Sequence, residues 1–211
     1  MGPHTRLLAN SARERTIVRW VHRRLSCVRH EARVLTIADE LFELLRPHHH
    51  LDRFERRMLR LGAMVHDIGR AVNDRRHPHI GCEMLLVDRG LPLSDVERRC
   101  LAYLTRYHRG AVPEIGFDDV LRSGDPRRSM RIVLALLRAA DSLDGRQHDE
   151  PQVRIKLREG KLKVRCHLIT DCRRARKFFS RRKKFRLLEE LLGVKVDLAV
   201  RDNAAISTAA R

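Results

Sequence analysis

The sequence predicts a mainly α-helical protein with a small α+β appendage towards its C-terminal end. Three observations predict it. Apolar residues recur at helical spacing over residues 13–148, the texture changes to strict alternation from residue 152, and a dense basic run then precedes a last apolar alternation. The 211 residues are 43% hydrophobic, enough for one helical domain with a core plus an appendage over 152–200, and too apolar for a disordered chain.

Residues 1–12 read as a flexible lead-in. Ile17, Val18, Val21 and Leu25 form the first apolar stripe, and Val34, Ile37, Leu41, Leu44 and Leu45 the second. His48, His49 and His50 follow Pro47 and are expected in a loop. A third helix runs from about Arg53 towards Asp67 and is expected to stop at Gly69, since glycine is common just past a helix end. A fourth begins near His77-Pro78, where proline suits a first turn. Ser94-Asp95-Val96-Glu97 is a capping-box pattern that opens a fifth helix running to about His108. Asp125-Pro126 is expected to cap a long helix that carries Met130, Leu134 and Leu137 and ends near Gly145.

Beyond it, Val153, Ile155 and Leu157 alternate with Arg154, Lys156 and Arg158; after Glu159-Gly160 the alternation resumes through Leu162, Val164 and Cys166, which is a hairpin signal. A basic helix is expected over about Asp171 to Leu192, burying Phe178, Phe185, Leu188 and Leu192, with Val194, Val196 and Leu198 as a third strand. Residues 201–211 are small and polar and read as a disordered tail.

The longest apolar run, Ile132 to Leu137, is far too short to cross a bilayer, and the N-terminus has no signal-peptide core. The cysteines are odd in number and form no C-x-x-C pair, so reduced, mostly buried thiols and a cytoplasmic location are expected. A net charge of +18 favours polyanionic ligands without selecting one.

Certain polar residues fall where periodicity assigns core. His30 extends the second stripe backwards by one turn, His108 extends Leu101 and Leu104 forwards, Asp141 extends Leu134 and Leu137, and His77 leads into Ile80, Gly81 and Met84. One histidine on an apolar face is usually a hydrogen-bonded core residue. A buried carboxylate is costlier unless it is paired or holds a metal, and several such residues on successive helices point to one shared polar centre. His66-Asp67 is its focus. Gly62 and Ala63, one turn earlier, let a neighbouring helix approach closely.

His30, Met64-Val65-His66-Asp67-Ile68-Gly69 and a distant Asp141 together resemble the H…HD…D signature of the HD superfamily of metal-dependent phosphohydrolases. With Arg106-Tyr107-His108-Arg109 and Leu137-Arg138-Ala139-Ala140-Asp141-Ser142-Leu143-Asp144, the chain is most similar to the C-terminal HD domain of exopolyphosphatases and guanosine pentaphosphate phosphohydrolases. His77-Pro78-His79-Ile80-Gly81 resembles the H-P-x-x-G segment of HD domains that bind two metals.

The resemblance implies an HD-type helical bundle and one or two divalent ions, manganese, iron, zinc, nickel or magnesium. It implies His30, His66, Asp67 and Asp141 as ligands of a first metal. His77 and His108 are implied for a second, with Asp67 as a bridge and His79 competing with His77. Asp67 and His66 stand at the catalytic centre, where the ion would polarise a phosphate oxygen and lower the pKa of a water. Arg109 and Arg70 are the candidate substrate-phosphate ligands, ahead of Arg106 and Arg138.

The expected substrate is a nucleotide, (p)ppGpp or a polyphosphate-like molecule. That family splits polyphosphate in an N-terminal actin-like domain that these residues do not include, so this activity is not expected to be inherited directly. Arg70 replaces a lysine that follows H-D-I-G in the cyclic-dinucleotide branch, which disfavours that substrate. The alternative is a non-catalytic polyphosphate- or nucleic-acid-binding module working with a separate catalytic domain, with nucleic acid held by the basic C-terminal helix. No membrane partner is expected, and a homodimer is compatible with the sequence.

Overall fold

A computed structural model describes residues 11–146, 151–169 and 172–202. The helical body comprises α1 (Ala12–His22), α2 (Arg29–Leu44), the one-turn α3 (Arg46–His49), α4 (Arg53–Val65), a 3-10 turn (Ile68–Ala71), α5 (His77–Val87), α6 (Asp95–Tyr107) and α7 (Arg127–Ser142). The appendage contributes β1 (Gln152–Arg158), β2 (Lys161–Leu168), α8 (Arg173–Phe179), a 3-10 turn (Arg182–Lys184), α9 (Arg186–Leu192) and β3 (Lys195–Asp202). The fold is mainly α with a small mixed sheet, as the periodicity predicts. Most of the expected lead-in and tail, residues 1–10 and 203–211, lies outside the described residues.

The core sits where α2, α4 and α7 pack on one another, with α6 against α4 and α7. Val34, Leu41, Met58, Leu61, Val65, Leu134 and Leu137 are all essentially inaccessible there, each burial stabilising by about 1.5–3 kcal/mol. Gly62 lets the helices close: a Cβ at that position would stand 2.9 Å from Leu104 Cδ1 and 3.6 Å from Leu137 Cδ2. The helix starts are fixed chemically. Ser94 and Glu97 form the expected capping box, with bonds of 3.2 and 2.8 Å, and Asp52 with Glu55 forms another at the head of α4.

Several local expectations need correction. α4 ends at Val65, and Gly69 is not a terminating glycine with left-handed backbone. It lies inside the following 3-10 turn, where a Cβ would collide with the carbonyl oxygen of His77 and stand 2.7 Å from the amide nitrogen of Gly81. The glycine therefore serves the contact between this turn and α5. His48 and His49 lie in α3 rather than in a loop. His49 is buried, its Nε2–H donating to Phe42 O at 2.8 Å while its Nδ1 accepts from the Leu51 amide at 2.9 Å. Asp125 does not cap α7; its carboxylate takes both Arg99 nitrogens at 2.7 and 2.9 Å and the Arg122 amide. α7 stops at Ser142, before Gly145.

The continuous basic helix is also overturned, because the chain breaks between α8 and α9. Phe179 and Phe185 are each only 1% exposed. Six residues apart, they would point about 120° apart on an unbroken helix. Breaking it lets α8 pack on β2 while α9 packs on α7. Phe179, rather than Phe178, is the buried aromatic of α8. This segment is also the crossover that the sheet requires. β1 pairs with β2 antiparallel through a turn in which Glu159 and Gly160 have φ of 52° and 67°, whereas β2 pairs with β3 in parallel.

Among the described residues no helix is long and apolar enough to cross a membrane, and Cys82, Cys100 and Cys166 are buried free thiols while Cys27 and Cys172 are exposed.

Gly69→Ala is expected to destabilise the protein by about 1–3 kcal/mol, the usual cost of forcing atoms into a filled space. Urea denaturation checks this, and a midpoint equal to the parent's would show that the turn can retreat from α5.

Candidate metal centre

Each side chain of the site comes from the end of an element. His30 begins α2, His66 and Asp67 follow the last residue of α4, His77 opens α5, His108 follows α6, and Asp141 lies in the last turn of α7. Helix ends place side chains at the rim of the core, where elements meet. None of the six is more than 5% exposed.

They form two adjoining groups. His30, His66 and Asp141 make one and Asp67, His77 and His108 the other, with the potential ligand atoms of each within 4.8 Å of one another. In the first, the two Nε2 atoms are 3.2 Å apart and stand 3.5 and 3.7 Å from Asp141 Oδ1. In the second, the Nε2 atoms are again 3.2 Å apart and lie 3.0 and 3.3 Å from Asp67 Oδ1. Asp67 joins the groups, with His30 Nε2 at 3.8 Å from Oδ2 and His66 Nε2 at 3.9 Å from Oδ1. The structure thus brings all six predicted ligands together and seats Asp67 closest to His77 and His108. His79 is exposed, hydrogen-bonded to Arg106, and belongs to neither group.

The hydrogen bonds fix which ring nitrogens face inward. His66, His77 and His108 each use Nδ1 to reach the carbonyl oxygen three residues earlier: Ala63 at 2.9 Å, Asp74 at 2.6 Å and Thr105 at 2.7 Å. A carbonyl only accepts, so Nδ1 carries the hydrogen and Nε2 presents a lone pair in each neutral ring. In the second group two such lone pairs meet a carboxylate oxygen, and Asp67 Oδ1 is buried without a hydrogen-bond partner. Three acceptors facing one another repel unless a cation lies between them. Ligands about 2.1 Å from one ion stand about 3.0–3.4 Å apart, which matches the spacing observed. The donor set fits a divalent transition metal, and the outward Nδ1 anchors are the outer support that metal-binding imidazoles ordinarily have.

The first group is satisfied differently. His30 Nδ1 bonds Asp144 at 2.7 Å, and Arg33 holds the other Asp144 oxygen at 2.6 Å. Burial opposes protonation of His30, but bonds to Asp141 and Asp144 outweigh it and raise its pKa to about 9. Burial would raise the Asp141 carboxyl, yet Lys184 beside it and His30 hold it well below the usual range. In the second group burial dominates, lowering His77 and pushing His108 down to about 4.

Sequence reasoning missed several neighbours. Arg146 bonds both the fully buried Glu31 and Asp67 Oδ2, the latter at 3.2 Å. Lys184, from the break between α8 and α9, reaches Asp141 Oδ2 at 2.6 Å. Glu31, Arg33, Asp144 and Arg146 adjoin recognised residues and were findable as a charged neighbourhood. Nothing in the sequence links Lys184 to a site 43 residues away.

Of the predicted substrate ligands, Arg70 is already bound to Asp67 Oδ2 at 2.6 Å and to Asp74. Arg109 is exposed and makes no ion pair among the described residues. Arg138 is spent on the Tyr107 and Gly110 carbonyls. Above His30 and Asp141 opens a cleft of about 690 Å³, walled by arginines of the body and by Arg174, Lys177, Arg181, Lys183 and Lys184 of the appendage.

The pKa of His108 gives a pH dependence. It is depressed from 6.5 to about 4, so the folded state binds fewer protons than the unfolded state between those values. Its stabilising share is present in full above pH 6.5 and is lost as pH falls towards 4. His30 works in the opposite sense, its share being lost as pH rises through about 9. Metal-free protein should therefore show a lower urea midpoint at pH 5 than at pH 6.5, below the range in which the His30 share is lost. The drop should shrink in His108→Phe, which cannot titrate there.

Residues 12–177 match the family model for Ppx/GppA phosphatase, domain III. No curated protein is similar enough to the chain to count as a match. With more than three quarters of its length inside that match, and with the mainly helical fold described above, the chain belongs to the Ppx/GppA phosphatase domain III family.

Proposed function

We propose that the protein is a metal-dependent phosphohydrolase of the HD type, acting on a small molecule with several phosphates: a nucleotide, (p)ppGpp or a polyphosphate-like chain. The observation that carries this reading is the donor-free meeting of His77, His108 and Asp67 next to the His30, His66 and Asp141 group, of which His30 and Asp141 line a cationic cleft. Bound there, one or two divalent ions (manganese, iron, zinc, nickel or magnesium) would supply Lewis acidity towards a phosphate oxygen and a water.

The chain's own groups then divide the work. His30, His66 and Asp141 would hold one ion, and Asp67, His77 and His108 a second. Arg70 and Arg146 bond Oδ2 of Asp67, leaving Oδ1 as the atom that would ligate and help orient an attacking water. Arg109 has its guanidinium free to take two oxygens of the substrate phosphate. The appendage cations neutralise the rest of a multiply charged substrate.

A second reading has a specific observation in its favour. Arg70, Arg146 and Lys184 already balance the Asp67 and Asp141 carboxylates, as a non-catalytic module that only binds polyphosphate would need. Metal content and turnover separate the two. Purified protein should contain near-stoichiometric divalent metal by elemental analysis, and Asp67→Asn should lose it along with at least about 100-fold of kcat/KM. Arg109→Ala should raise KM about tenfold with kcat little changed, as expected for a residue that binds ground and transition states alike. The assay panel comprises nucleoside triphosphates, (p)ppGpp, polyphosphate and a chromogenic phosphodiester. Folded, metal-free protein that binds polyphosphate tightly without hydrolysing any of them would establish the second reading instead.

A further inference from the structure

Two carboxylates are wholly inaccessible among the described residues, Glu31 and Asp67. One guanidinium bonds both. Arg146 Nη2 donates to Glu31 Oε1, and it donates to Asp67 Oδ2 at 3.2 Å. Each carboxylate keeps one oxygen that is buried without a hydrogen-bond partner, Glu31 Oε2 and Asp67 Oδ1. For Asp67 a metal ion accounts for this. Glu31 belongs to neither group of candidate ligands, so its burial needs another reason.

Charge balance does not supply one. Arg70 already bonds Asp67 Oδ2 at 2.6 Å. If Arg146 served only to neutralise Asp67 further, a buried carboxylate beside it would work against that task, and an apolar side chain of similar size would cost the fold less. The place of Glu31 in the first turn of α2 suits a negative charge, but an exposed carboxylate provides the same benefit without desolvation. What an apolar residue could not do is hold Arg146. That residue lies four positions beyond the end of α7, so no helix directs its side chain, and its two carboxylate partners do.

We propose that Arg146 is a second contact for the substrate phosphate, held beside Asp67 by Glu31; the assignment rests on the phosphohydrolase reading. A guanidinium carries five N–H hydrogens. The two on Nη2 are taken by Glu31 and Asp67, while Nε and Nη1 make no hydrogen bond among the described residues. Three donors therefore stay open on a side chain that is 28% exposed and lines the cleft with His30 and Asp141. One rigid, planar group thus touches the carboxylate that would orient the water and offers its remaining donors to a phosphate. A lysine, a point charge without a fixed plane, could not do both. Arg109 is tied to no carboxylate and binds ground and transition states alike. Arg146 is fixed relative to Asp67, so its contact strengthens as charge develops on the phosphoryl oxygens. Glu31 touches no substrate and is a positioning residue.

Three readouts on the full chain test this: thermal midpoint, metal content by elemental analysis, and kinetics on whichever substrate of the panel the parent turns over fastest. Arg146→Met leaves Glu31 buried without a cation and should lower the midpoint by about 5–10 °C. Glu31→Met/Arg146→Met removes both charges and should return to within about 3 °C of the parent. That double variant should keep the parent's metal content and lose about 100-fold of kcat, with KM changed less than about threefold. A parental kcat in the double variant overturns the proposal and leaves the phosphohydrolase reading standing. So does loss of metal together with rate, which would make the pair a support of the metal site, and so does a loss carried by KM. An Arg146→Met midpoint equal to the parent's overturns the role given to Glu31. A parent that turns over nothing in the panel ends the phosphohydrolase reading and this assignment with it.

Discussion

The interaction on which the rest depends is a bond of modest strength made three times over: a histidine Nδ1–H returning to the carbonyl three residues before it. His66 and His108 do this just past the ends of α4 and α6, and His77 does it across the turn leading into α5. For His66 and His108 the bond satisfies a carbonyl at a helix end, and in all three it decides which face of the ring looks inward. The consequence is a buried volume lined by acceptors. Burying such a set without a cation is unfavourable, so the backbone geometry of three helix termini has already selected for positive charge before any ligand arrives.

That charge is supplied on two levels. Arg70, Arg146 and Lys184 neutralise the outer carboxylate oxygens, Oδ2 of Asp67 and of Asp141. The inner oxygen of Asp67 is left to the imidazoles and has no hydrogen-bond partner. The division resembles that of a metal site with a fixed outer support and an open interior, and it places the appendage within the centre, because Lys184 comes from the crossover between β2 and β3. A chain cut after α7 would keep all six candidate ligands and lose one of the groups that balance them.

Much of this was legible in the sequence, for identifiable reasons. Helical periodicity located His30, His108 and Asp141 on the inward faces because a 3.6-residue repeat is geometry, and a polar residue in an apolar stripe stands out against it. The hairpin, the Ser94 capping box and the third strand were visible because period-2 alternation and reciprocal capping are local. What failed was decided elsewhere in the chain. Gly69 has the look of a helix stop, and only the position of α5 gives it another purpose. The basic helix has no helix breaker in its sequence; the demands of β2 and α7 for Phe179 and Phe185 divide it. Lys184 sat unmarked in a run of like residues, since no local pattern shows which of several lysines will meet a distant aspartate.

Two of the glycines at the core make different demands on any relative of this chain. Around Gly62 the crowding atoms belong to the side chains of Leu104 and Leu137, so a larger residue at 62 is repairable by trimming one of those leucines, and drift at the three positions can be correlated. Around Gly69 the crowding atoms are backbone, the carbonyl of His77 and the amide of Gly81, which every amino acid brings. No second substitution makes room there. Position 69 is therefore closed to compensation in a way that position 62 is not, and the route by which Asp67 and His77 were brought together is one that the chain cannot easily revise.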